Sequence, residues 1–261
     1  MELLLRQRAE NTGTIAVIIF LSYLAILLAW GFLSYGAHVK ALLLPAPHAV
    51  LRELLRMLGS GEIFGDVLIT LSRLALGFVL SLLAAIPLGM YAGLYRKGSA
   101  LLSPVFVLRY IPYSAIVPAS ILWFGIGESQ KIFIIFMAQF TYFFIIISDR
   151  VAAVPGHLID TAYALGAKNR DVITKVILPY CAPAIYQYGR VIFAIGWVVI
   201  IFVEMVGADS GLGHMMIQAQ RYLQMEKVFA GIAIIGLLGF LTDALLNRLY
   251  LRIFPWRKGD A

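Results

Sequence analysis

The chain has 261 residues, of which 61% are hydrophobic and 13% charged. A soluble domain carries roughly 25% charged residues, so a soluble globular protein is excluded and an integral membrane protein remains. A net charge of +7 would raise nucleic acid as a partner for a soluble chain, but here the basic residues stand at the ends of apolar runs and read as topology markers.

Arg6 and Arg8 precede an uncharged run from Thr14 to Leu33. At about 20 residues it exceeds the core of a signal peptide, and no small-x-small cleavage site follows it, so it reads as a first, retained span with its N-terminus inside. Residues 34–65 form the first loop, interrupted by Pro45 and Pro47. Within it, Val50, Leu51, Leu54, Leu55 and Leu58 share one face of a short amphipathic helix, with Arg52, Glu53 and Arg56 turned away. That helix is expected at the outer interface, ended by Gly59 and Gly61.

Leu74 to Leu94 is uncharged and makes the second span, begun at Asp66 or Val67. It contains Pro87, which a spanning helix tolerates when neighbours satisfy the freed carbonyl. Arg96 and Lys97 mark the inside. Ser99 to Gly127 holds one charge, Arg109, and three prolines, Pro104, Pro112 and Pro118. No straight helix accepts that spacing, so a broken third span is expected. Irregular backbone at membrane depth survives where it is buried in protein or lines a cavity, which turns this span toward a pathway. Residues 125–131, GIGESQK, form an outer turn, and Ile132 to Ser148 the fourth span.

Asp149 and Arg150 open a polar stretch that culminates in Pro155–Pro179, the longest polar run between two spans. The fifth span covers Val176 to Val203, with Pro179, Pro183 and Arg190 inside it. GADSGLGHMM, residues 207–216, is an outer glycine-rich turn. Gln218 to Lys227 reads as a short polar helix and Val228 to Asn247 as the sixth span, followed by Arg248, Arg252, Arg257 and Lys258. This layout puts twelve of the 21 Lys and Arg inside, six outside and three, Arg73, Arg109 and Arg190, within spans. The bias supports an all-α membrane protein with six transmembrane helices and both termini cytoplasmic. Residues 66–258 form the core, and 1–65 an N-terminal transmembrane helix plus the outer amphipathic helix.

On that topology Pro155–Pro179 lies in the cytoplasm. A helix from near His157 would turn Ile159, Ala162, Tyr163 and Leu165 to one side and end at Gly166 in the left-handed conformation. A second would start at Asn169 as N-cap, with Asp171 in its first turn. Ala162, Ala164, Gly166 and Ala167 would let another protein's backbone come close. Pattern alone leaves two readings open, a docking element and a plain solvated loop.

The spacing D-T-A-x3-G-x9-V-x-L-P, from Asp160 to Pro179, resembles the E-A-A-x3-G-x9-I-x-L-P loop of the membrane subunits of bacterial ATP-binding-cassette importers. Asp160 stands for the usual Glu and Thr161 for the first Ala. Further stretches, Ile111-Pro112, ILWFGIGESQKI at 121–132, EMVGADSGLGHMM at 204–216 and FAGIAIIGLLG at 229–239, resemble the permeases for taurine, alkanesulfonates and nitrate. The resemblance covers about residues 66–258 and implies the type I importer permease fold in a bacterial inner membrane. It also implies that Asp160, Thr161, Ala162, Leu165, Gly166, Ala167, Leu178 and Pro179 couple to a separate ATPase present in two copies. A second permease copy, giving a homodimer, would complete the pore, and an extracytoplasmic binding protein would deliver substrate. The chain has no G-x4-G-K-[ST], so ATP and Mg would be bound by the partner ATPase and no cofactor by this chain.

Expected to line the pathway are Arg109, Tyr110, Pro112 and Tyr113 of the broken span, with Trp123, Trp197 and Glu204. A charge within a span is a functional hypothesis by default, and Arg109 would suit a small anion. Glu204 could alternatively pair with Arg73. Glu128, Gln130, Asp209 and His214, in outer turns, are candidates for meeting the binding protein. His38, His48, His157 and His214 share no metal-ligand spacing, and no metal site is expected. The cargo expected from the resemblance is a sulfonate-, taurine- or nitrate-like anion; an aromatic carboxylate or vitamin precursor is the alternative. A stand-alone secondary transporter would often show broken helices paired between two halves, and only one is present. An intramembrane enzyme would need H-E-x-x-H, G-x-S-x-G or an aspartate pair within the spans, and none occurs.

Overall fold

The computed structural model describes residues 12–36, 39–40 and 42–257; Arg6, Arg8, His38 and Lys258 lie outside them. The described residues are helical, with no strand. Five helices are long and apolar enough to cross a membrane: α1 (Thr12–Tyr35), α3 (Glu62–Leu94), α7 (Glu128–Ala152), α10 (Leu178–Gly207, continuous with the turns before it from Asn169) and α12 (Met225–Ile253). The bent pair Ser103–Tyr110 and Tyr113–Phe124, turned by 109° at its break, brings the candidate spans to six when counted as one. The first half holds α5 (Ser103–Val107) and a 3-10 turn, and the second is α6. Between them Ile111 and Pro112 are extended, with ψ of 118° and 125°. Proline pushes the residue before it out of the helical region, so the break falls where the sequence placed a broken span.

The bundle is organised by one seam. Gly77, Ser81, Ala85, Gly89 and Gly93 recur every four residues along α3 and face α7. An added Cβ would lie 2.5 Å from Ile135 at Gly77, 2.9 Å from Ile147 at Gly89 and 2.6 Å from the Ser148 carbonyl at Gly93. Lipid gives apolar helices no reason to seek each other, so close approach through small residues does that work. Phe78 crosses the seam edge-to-face onto Phe143 at 5.2 Å and onto Phe193 of α10 at 5.1 Å. The α12 helix joins α10 through Tyr186, whose hydroxyl donates to the Leu246 carbonyl at 3.0 Å. Arg190 binds both carboxylate oxygens of Asp243 and the side-chain oxygens of Asn247 and Gln187.

Several boundaries differ from expectation, and at the starts of α3 and α7 the reason is a distant side chain that binds a charge which looks exposed in sequence. The α3 helix starts at Glu62, whose carboxylate binds Lys227 of α12. The α7 helix starts at Glu128 rather than Ile132, and α12 runs from Met225 to Ile253. The polar helix expected over Gln218–Lys227 is instead α11, Leu212–Arg221. In α2 (Pro47–Ser60) the apolar face divides. Val50 and Met57 are buried and Leu54 half-buried, while Leu51, Leu55 and Leu58 are exposed. Gly61, not Gly59, terminates it. The α1 helix meets the rest at its C-terminal end, where Trp30 donates its indole N–H to the Pro45 carbonyl at 3.0 Å and stacks on Phe229.

Candidate functional sites at the two ends of the bundle

At one end, α3 leaves at Leu94, α7 at Ala152 and α12 at Ile253, and the chain makes a helical hairpin. Pro155 precedes α8 (Gly156–Ala164), and Gly166 ends it at φ +83°. The Gly166 N–H donates to the Tyr163 carbonyl at 2.9 Å and the Ala167 N–H to Ala162 at 3.0 Å. This is the Schellman closure, which needs a left-handed residue at Gly166. The second arm starts one residue before Asn169. Lys168 occupies the N-cap and its N–H donates to the Asp171 carboxylate at 3.3 Å, because Asp171 sits three positions on, where it can reach back. Asp171 also pairs with Lys175 at 2.7 Å, and the Tyr163 hydroxyl donates to Asn169 at 3.1 Å, tying the arms together.

The hairpin has two faces. Ile159, Ala162, Ala167 and Ile173 pack on a cluster holding Val154, Val172, Ile177 and Cys181. Tyr163 and Leu165 point away, and Leu165 is 84% exposed. The single apolar side expected for Ile159, Ala162, Tyr163 and Leu165 is therefore split, since Leu165 falls beyond the last turn of α8. Asp160, Thr161, Gly166 and Pro179 are exposed and Leu178 is half-buried.

At the other end a buried polar cluster joins α3, α7 and α10. Arg73 Nη1 donates to Glu204 at 2.7 Å and to the Ser210 carbonyl at 2.8 Å. Its Nε and Nη2 donate to the two oxygens of Glu128, each at 2.6 Å. Glu204 also accepts from Thr70 at 2.9 Å and from the Gly213 N–H at 3.0 Å. Thr70 in turn accepts from the Leu212 N–H, and Asp66 from the Gly211 N–H at 2.8 Å. Asp66 and Thr70, 145 and 142 residues earlier, and Glu204, nine residues earlier, thus cap the first turn of α11, and the glycine-rich turn contracts to residues 208–211. Gly211 is at φ +107°, and a Cβ there would run into the Glu204 carboxylate.

Glu204 is 0% exposed. Expected to line a pathway, it is enclosed within the single chain as the partner of Arg73. Trp197 is likewise buried, its indole N–H donating to Thr242 at 3.3 Å. Gln130, expected in an outer turn, is inside on the first turns of α7 and donates to Ser120 at 3.0 Å. Glu128 stays 59% exposed although both oxygens are bound. Asp209 is exposed, and His214 lies half-buried in α11. Sequence reading missed Asp66, Thr70 and Ser210. The signal was the spacing of Asp66, Thr70 and Arg73, which puts three polar groups on one face of a spanning helix.

The bend presents Arg109 and Tyr110 together. Arg109 donates to the Tyr110 hydroxyl at 2.6 Å and lies 4.7 Å from its ring centroid. Both are exposed, as are Pro112 and, at the far end of α6, Trp123; Tyr113 is half-buried.

Residues 85–255 match the family model described as "Binding-protein-dependent transport system inner membrane component". The chain is 34% identical to the putative aliphatic sulfonates transport permease protein SsuC of Bacillus subtilis, over 89% of this chain and 85% of that protein. It is 32% identical to the taurine transport system permease protein TauC of Escherichia coli, over 96% and 90%. Its fold is like that of a chain in the inward-facing MetNI methionine ABC transporter, with a TM-score of 0.62 at 20% identity, over 72% of this chain and 94% of that one.

Proposed function

Because this chain belongs to the family of binding-protein-dependent transport system inner membrane components, an ABC importer permease family embedded in the membrane and not itself catalytic, we propose that it forms the pore of an importer driven by a separate ATPase and fed by an extracytoplasmic binding protein. In this reading two copies of the chain form the pore in a bacterial cytoplasmic membrane, and each meets one ATPase subunit, which holds ATP and Mg. The observation that carries it is the hairpin at 155–179. It is closed at Gly166, anchored by Ile159 and Ala162, and carries an exposed apolar tip at Leu165. Such a tip suits insertion into a partner's cleft, and closure of the ATPase dimer would then move the two hairpins and switch the pore.

The cargo we propose is a small anion of the sulfonate class. TauC and SsuC are named for taurine and aliphatic sulfonates, and the exposed Arg109 beside Tyr110 supplies a cation at the bend of the broken span. Glu128, Asp209 and His214 are the groups at the opposite end available to a binding protein.

Co-purification of the chain with an ATPase and vanadate-sensitive uptake of a labelled sulfonate into proteoliposomes are the expected results. Uptake without any ATPase would overturn the reading in favour of a secondary transporter. Uptake competed by aromatic carboxylates and not by sulfonates would keep the importer and replace the cargo.

A further inference from the structure

The Leu178-Pro179 pair closes the hairpin's second arm, yet docking gives no reason for a proline there. The backbone does. Val172–Ile177 forms a π-helical segment between α9 (Asn169–Asp171) and α10, and the Leu178 N–H donates to the Ile173 carbonyl five residues back. Such segments are rare and usually a single turn inside an α-helix.

Two features hold this one. In an α turn the Pro179 ring would run into the Lys175 carbonyl four residues earlier, and a wider turn relieves that clash. Val172 and Ile177, five apart, are each 2% exposed and belong to one cluster with Cys181. In an α-helix five steps of about 100° would leave them about 140° apart; the wider turn brings both to the core.

The hairpin before this segment is closed on itself by the Gly166 turn, the Tyr163–Asn169 bond and the Asp171 cap. It is a stiff unit, and its rotation about the α10 axis is fixed by the turn that joins them. We propose that Pro179 is a positioning residue: its ring excludes the α turn before it and so keeps the π turn, and the π turn sets the direction in which the hairpin presents Leu165. The consequence for transport rests on the docking role proposed above; the geometric claim does not.

Nitroxide labels at Leu165→Cys and Val191→Cys, both exposed positions, report the rotation in the full-length Cys181→Ala chain in lipid nanodiscs. Deleting Thr174 removes the extra residue and turns the hairpin by about 100°, so the measured spin–spin distance is expected to move to a new maximum. Pro179→Ala, which removes the ring, is expected to broaden or shift the distribution. In complexes matched for bound ATPase, Pro179→Ala is expected to lower cargo moved per ATP hydrolysed by about tenfold. An unchanged distance in Pro179→Ala overturns the proposal whatever the Thr174 deletion does, and an unchanged transport-to-hydrolysis ratio overturns its consequence for transport. If Pro179→Ala does not assemble with its ATPase, its label distance in the permease alone decides: a shifted or broadened distribution supports the proposal and an unchanged one overturns it. A wild-type chain that binds no ATPase would remove the docking role, and the label distances would still judge the turn.

Discussion

Arg73 and Glu204 stand 131 residues apart in sequence and meet at 2.7 Å in the interior, 2% and 0% exposed. The same guanidinium binds Glu128 bidentately, but that carboxylate is 59% exposed. The two acidic partners of one arginine therefore have unequal value. Glu204 sits where an unpaired charge is expensive, and Glu128 where water can replace the protein.

Glu204→Gln leaves Arg73 without its buried counter-charge and is expected to destabilise the chain by about 3–5 kcal/mol. Glu128→Gln, in wet surroundings, is expected to cost about 1 kcal/mol or less. Thermal unfolding of the two variants in the same detergent checks the ordering; equal losses would mean the cluster is not organised around Glu204.

The seam between α3 and α7 predicts a sign change between glycines. Gly77→Ala puts a methyl 2.5 Å from Ile135, and overpacking of this kind costs about 1–3 kcal/mol. Gly59→Ala lies in α2 with nothing within 4 Å and is expected to gain about 1 kcal/mol in helix propensity. Melting temperatures of the two variants against wild type are the measurement.

The hairpin separates docking from folding. Leu165→Asp changes an exposed tip residue and is expected to abolish ATPase co-purification without moving the unfolding temperature. Ala162→Asp puts a carboxylate at a half-buried position packed on the core, where burial of an unpaired charge is costly, and is expected to lose both. A Leu165→Asp variant that still binds its ATPase and transports normally would sink the docking role.

Much of this was readable from composition and spacing. The broken span followed from Pro104, Pro112 and Pro118, and the hairpin's end from Gly166, because proline and glycine act through local backbone sterics. What was not readable depended on partners far along the chain. The start of α11 is set by Thr70 and Asp66, which accept from the Leu212 and Gly211 N–H groups; no window of sequence holds both halves of those bonds. The π turn was hidden for another reason: apolar residues five apart at 172 and 177 fit neither helical nor strand periodicity, and Pro179 reads first as a helix start.

The closure seen at Gly166 occurs a second time with the wrong residue. At the end of α11 the Leu223 N–H donates to Gln220 at 3.0 Å and the Gln224 N–H to Ala219 at 2.9 Å, the same pair of bonds with Leu223 in the left-handed position at φ +59°. A leucine held there costs roughly 1–2 kcal/mol relative to glycine. Its side chain is 63% exposed in the single chain, so packing returns little of that. Leu223→Gly is therefore expected to stabilise the chain by about 1 kcal/mol, and Gly166→Leu to destabilise it by a similar amount. Denaturation of both variants, scored by circular dichroism, tests the pair together. A Leu223→Gly variant that loses stability would show that this leucine is held by contacts beyond the single chain, for which the second permease copy or the binding protein at that end of the bundle is the place to look.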